Sequence, residues 1–136
     1  MKYLLDTNTV SEPKRKRPDP AVAAWLRGVD QSSLFVSVLT LGEIENGITK
    51  LEPKNRIAAD ALREWAEGIR AHFSSRIIDI DFAIAETWGR ISARRSLPVI
   101  DGLLAATALV HGMVFVSRNT RDFSDTGITL LNPWDG

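Results

Sequence analysis

Short apolar runs alternate along the chain with longer stretches in which apolar residues recur at helical spacing. Residues 2–5, 34–38, 76–80 and 113–117 are mostly rich in β-branched or aromatic side chains and read as buried strands. Residues 129–131 are a weaker strand candidate. Between the strands, 19–27 opens on Asp-Pro and puts Val22, Trp25 and Leu26 at helical spacing. Helix-like segments 40–50 and 57–72 follow, then 82–95 with Ile84, Trp88 and Ile91 in register. Residues 100–111 are almost wholly apolar, which predicts a helix buried on most sides and capped by Gly112. Strands alternating with helices predict an α/β sandwich around a mainly parallel sheet. No internal repeat or low-complexity linker interrupts the pattern, so a single domain is expected over 1–136.

Composition narrows this picture. A chain of 136 residues, 44% hydrophobic and 25% charged, can bury one ordinary core. It has no cysteine, which removes disulfides, zinc–thiolate sites and thiol nucleophiles together. An acid at position 6 interrupts the first apolar run too early for a signal peptide. The uncharged stretch 102–117 is too short to cross a membrane. A cytoplasmic protein with no membrane association is expected. With 17 basic and 17 acidic side chains the formal net charge is zero, so any nucleic-acid footprint must come from local patches.

Ligands of parallel sheets bind outside the carboxyl ends of the strands, so the acids predicted there carry the candidate chemistry. Asp6 ends the first strand. Glu43 falls in the first turn of the helix after the second, Asp101 opens the apolar helix, and Asp122 lies in the turn after 113–117. Each has a plainer reading. Asp6 can close an Asx-turn near Asn8, and Thr40 with Glu43 fits a capping box. Asp101 can complement a helix dipole, and Asp122 can cap the turn 119–123. Together the plain readings weaken, because Asp101 opens the least polar helix, where desolvating a lone carboxylate is costly. Acids gathered at one edge repel one another, and a hard divalent cation with oxygen ligands relieves that repulsion.

The same residues resemble a known family. Tyr3-Leu-Leu-Asp6-Thr-Asn8, Ser37-Val-Leu-Thr-Leu-Gly-Glu43-Ile-Glu-Asn-Gly47, Asp101-Gly-Leu-Leu-Ala-Ala-Thr107-Ala and Val116-Ser-Arg-Asn119-Thr-Arg-Asp122-Phe123 resemble PIN domains. More narrowly they are similar to VapC-type toxins of bacterial toxin–antitoxin pairs. Val10-Ser-Glu-Pro13 and Asn132-Pro-Trp134 extend the likeness to the FitB-like branch. The resemblance implies a three-layer fold with a parallel central sheet and an endoribonuclease site using Mg²⁺, or Mn²⁺ in its place. It makes Asp6 and Asp101 the principal metal ligands, with Glu43 and Asp122 completing the catalytic and metal-binding set. The FitB-like branch carries its fourth acid at the position of Asn119, so Asn119 is the alternative to Asp122. Thr7 and Asn8 then support Asp6, and Asn119 positions water or phosphate. The resemblance also implies a cognate antitoxin whose C-terminal segment covers the acidic groove, often with an Arg among the carboxylates. Operator DNA would be bound only through that antitoxin, and homodimers are implied, with 40–50 and 57–72 as candidate surfaces.

Basic residues supply the RNA-binding candidates. Arg118 and Arg121 flank the inferred site. Lys14-Arg15-Lys16-Arg17, bracketed by Pro13 and Pro18, reads as an exposed loop that is either simply solvated or tracks phosphates. Trp25 and Trp88 read as core, Trp134 as a ring docking back onto the body, and His72 and His111 as structural. Two other classes remain open at this point. A haloacid-dehalogenase-type phosphatase also places an Asp after its first strand, but it needs a second Asp where this chain has Asn8. A non-catalytic PIN-fold partner in an antitoxin–DNA complex is the other.

Overall fold

The computed structural model describes residues 1–135. Five short strands form one parallel sheet: β1 (Tyr3–Leu5), β2 (Leu34–Ser37), β3 (Ile77–Ile78), β4 (Val114–Val116) and β5 (Leu130–Leu131), in the spatial order β3-β2-β1-β4-β5. Tyr3 pairs with Leu34 on one side and Val114 on the other, so β1 is the central strand. Parallel pairing requires crossovers, and six helices provide them: α1 (Thr7–Ser11), α2 (Pro20–Gly28), α3 (Val38–Leu51), α4 (Arg56–His72), α5 (Phe82–Arg94) and α6 (Val99–His111).

Alternation along the strands separates two cores. Leu4 and Phe115 turn to one face, where they meet Leu104, Ala105 and Ala108 of α6 and Phe123. Leu5, Leu34, Val36 and Val116 turn to the other, with Trp25 and Leu26 of α2 and Trp65 and Ile69 of α4 packed against them. The result is the expected three-layer sandwich, helices on both faces of a parallel sheet. Trp25 stands edge-on to Tyr3 at 5.2 Å, as a core residue.

The strands and the five longer helices fall where the apolar pattern places them. Gly112 caps α6 in the left-handed conformation (φ 63°), a conformation that a side chain would strain. Two expectations need correction. Helix α6 is buried only over Gly102–Ala108, while Val99, Leu109 and Val110 at its ends are exposed. The capping box at Thr40 does not form: Ser37 caps α3, its Oγ accepting from Leu39 N (3.0 Å), and Thr40 is fully buried inside the helix. Glu43 therefore sits in the second turn of α3 rather than the first. Among the described residues no helix is long and apolar enough to cross a membrane.

Candidate active site

The first acid is fixed by the way β1 ends. The backbone N–H of Asp6 donates to Val116 O (3.0 Å), the last bond before the chain turns into α1. Its carboxylate then caps that helix, with Oδ1 accepting from Thr9 N (2.8 Å) and Thr9 Oγ1 (2.6 Å). The cap is thus shifted from the Asx-turn with Asn8 expected from the sequence. Thr9 is fully buried, and Asp6 is nearly so.

The second acid is held from the same short helix. Thr7 Oγ1 donates to Glu43 Oε1 (2.5 Å) and lies 3.2 Å from Thr40 Oγ1. A hydroxyl has one hydrogen, so with that hydrogen on the carboxylate, Thr40 is the donor within the hydroxyl pair. Thr7 thereby links α1 to α3 and orients Glu43, rather than supporting Asp6 as the sequence suggested. Asn8, the next residue of α1, is exposed.

Asp101 lies in the first turn of α6, where Pro98 offers no side-chain cap. Its carboxyl is raised above the ordinary range, first by burial, then by the negative charges of Glu43, Asp6 and Asp122 in that order. Acids from four distant parts of the chain thus act on one another at one sheet edge. Next to Asp101, Gly102 packs against the indole of Trp88, which confirms that ring as part of the packing. Asp122 stands on a 3₁₀ turn (Arg121–Phe123) after β4 and is exposed; Asn119 Nδ2 donates to its Oδ2 (2.6 Å). Asn119 is itself set by its N–H donating to buried Ser117 Oγ (3.1 Å).

A hard cation suits this donor set, which is entirely carboxylate and mutually repelling. Among the described residues no three such side chains are already arranged around an ion. A groove of about 460 Å³ lined by Leu39, Gly42, Glu43, Asn46 and Ile100 opens beside the acids.

The basic candidates divide. Arg118 lies over the Trp134 ring (5.5 Å) and shares a cavity of about 320 Å³ with Asn8, Ser11, Glu12, Arg15 and Trp134. Arg15 therefore stands on the Asp6 side of the molecule, while Lys14 and Arg121 are simply exposed. The turn that carries Trp134 (Pro133–Asp135) packs against α2, so the tail returns to the body as expected. His72 and His111 are exposed at the ends of α4 and α6. Sequence reasoning passed over Thr9, Ser117 and Glu12. The spacing Asp6-x-x-Thr9 is an N-cap signal that could have found the first.

Residues 3–128 match the family described as PIN domain. The chain is 31% identical to the toxin FitB of Neisseria gonorrhoeae over 96% of this chain and 97% of that protein. It is also 31% identical to the VapC ribonuclease Y4jK of Sinorhizobium fredii, over 97% of each. Among solved structures, FitAB bound to the IR36 DNA fragment superposes with a TM-score of 0.89 at 32% identity, covering 97% of this chain and 95% of that one. A match over nearly the whole length, with the four acids in order at one sheet edge, leaves no place for a haloacid-dehalogenase reading: the chain belongs to the PIN-domain family.

Proposed function

We propose that this protein is a metal-dependent endoribonuclease, the toxin of a toxin–antitoxin pair acting in the cytoplasm. The observation that carries the reading is the convergence on Asp101 of the charges of Glu43, Asp6 and Asp122, a site that stays electrostatically loaded until a cation enters. The names of the relatives, a toxin and a ribonuclease, point the same way.

Asp6 and Asp101 would be the principal ligands of Mg²⁺ or Mn²⁺, with Glu43 and Asp122 completing the set. The bound cation would supply an acidified water and a charge partner for the phosphoryl oxygens. The chain's own residues prepare that site. Thr9 fixes one oxygen of Asp6, Thr7 aims Glu43, and Asn119 restrains Asp122. A cognate antitoxin would silence the enzyme by covering the acids, and an arginine placed among them would relieve the same repulsion bidentately. Operator DNA would be reached through that antitoxin, in line with a related complex described as bound to a DNA fragment.

The test is cleavage of total cellular RNA by the freed protein with Mg²⁺, with Mn²⁺ and with EDTA, beside Asp101→Asn. Discrete products lost with EDTA and in the variant are expected. If the folded, metal-loaded protein cuts no RNA, the reading passes to a non-catalytic partner of an antitoxin.

A further inference from the structure

We propose that the cavity between α1, the loop after β4 and the C-terminal turn is a nucleotide subsite, and that Trp134 is a positioning residue for it. The proposal rests on the ribonuclease reading and names where one nucleotide flanking the cut is held.

The cavity adjoins the acids through the chain itself. Asn8 lies two residues beyond Asp6, and Arg118 precedes Asn119, the residue that restrains Asp122. Its volume of about 320 Å³ is at the lower end of the range for small-molecule pockets, the scale of a single nucleotide rather than a helix. Its lining combines two guanidinium groups with small polar side chains, Asn8 and Ser11, which suits a phosphate with its sugar.

Both arginines are exposed to solvent, and each is tied to a neighbour. Arg15 Nη1 contacts Glu12 Oε1 (3.3 Å), and Glu12 is buried, its other oxygen accepting from Asp19 N (2.9 Å). Glu12 thus acts as an anchor whose charge is already engaged, and with Arg118 the lining keeps one net positive charge.

Arg118 is set by the tail. Its carbonyl accepts from Asn132 Nδ2 (3.1 Å), and Asn132 Oδ1 accepts from Trp134 N (2.9 Å). The indole then lies 5.5 Å from the guanidinium. A cation–π contact restrains the guanidinium and leaves its planar face and N–H fork to meet a base or a phosphate. Lysine carries the same charge but neither the plane nor the fork. Trp134 therefore acts through Arg118 rather than on RNA directly.

The experiment titrates the full-length protein with adenosine 5′-monophosphate and with a mixed-sequence oligoribonucleotide in EDTA, following the Trp134 indole N–H and the Asn8 and Ser11 amides by NMR. Shifts at these three positions are expected. Arg118→Lys should weaken oligoribonucleotide binding roughly tenfold, the scale of one stacked contact, with the loss under Mg²⁺ falling on KM rather than kcat. Trp134→Ala should match it and Trp134→Phe should restore most binding; Arg118→Lys keeps the test valid if Trp134→Ala fails to fold. Unmoved signals, or wild-type affinity in Arg118→Lys, overturn the subsite even if the wild type cleaves RNA. Binding at these positions by a protein that cuts no RNA keeps the subsite and removes the nuclease reading. An acidic peptide that moves the three signals where nucleotide and oligoribonucleotide do not would assign the cavity to a protein partner and overturn the proposal.

Discussion

Asp101 bears a load imposed first by burial and then by its acidic neighbours. Its folded-state carboxyl is raised, so its stabilising contribution is complete below the unfolded value, about 3.9, and is lost as pH climbs through the folded value. At neutral pH the metal-free fold is therefore destabilised by this charge. Asp101→Asn should raise the metal-free thermal midpoint at pH 7 by a few degrees, with the gap closing below about pH 4, while cleavage falls to background. Calorimetry across pH checks this, and an unchanged or lower midpoint at pH 7 counts against it. The hydroxyls behave oppositely. Thr9→Val strips a fully buried bond from Asp6 and should cost about 1–3 kcal/mol in denaturant unfolding. Thr7→Val, at a half-buried position, should instead lower cleavage roughly 10–100-fold through Glu43, with smaller effect on stability.

At the scale of elements, the start of α6 shows how packing places an acid. A Cβ at Gly102 would stand 2.9 Å from Trp88 Cδ1, so Gly102→Ala forces the rigid indole aside. Overpacking costs about 1–3 kcal/mol, against about 1 kcal/mol gained from helix propensity, so a net loss on the order of 1 kcal/mol is expected. Gly89 on α5 meets nothing within 4 Å, and Gly89→Ala should gain roughly 0.5–1 kcal/mol. Equal effects at the two glycines would show that Trp88 does not constrain the helix start. The five strands and longer helices were legible because each carries enough apolar residues to show a period. Helix α1 was not: Thr7–Ser11 is one polar turn, held by Asp6 and by the bonds that tie Thr7 to Glu43 and Thr40. The same helix explains the misread caps, since Thr40 is drawn inward by Thr7 instead of facing its own helix end. The four acids were legible as strand-end residues, but their mutual influence depends on sheet order, which places β4 beside β1 and no local pattern records. The Arg15–Arg118–Trp134 cavity joins three segments and was invisible for the same reason.

For the molecule as a whole, zero net charge means that RNA affinity must come from few contacts. If Lys14, Arg15, Arg118 and Arg121 all reach phosphates, the slope of log affinity against log salt should be about −3, and about −1.4 if only Arg15 and Arg118 do. Fluorescence anisotropy of an oligoribonucleotide over a potassium chloride series measures it. A slope near −6 would require a basic surface elsewhere.

The central strand also imposes an order in time. Tyr3 finds its partner in Val114, so the pair that brings Asp6 toward Asp122 cannot form until β4 has been made. A chain still threaded in the ribosome, an assembly itself built on RNA, therefore carries Asp6 and Glu43 before the turn that bears Asp122 has joined them. Stalled chains ending near residue 110 should be protease-sensitive and inert toward RNA, whereas those in which residue 122 has emerged should be neither. Catalytic competence would then be withheld until β4 and the turn after it have been made, by strand order alone.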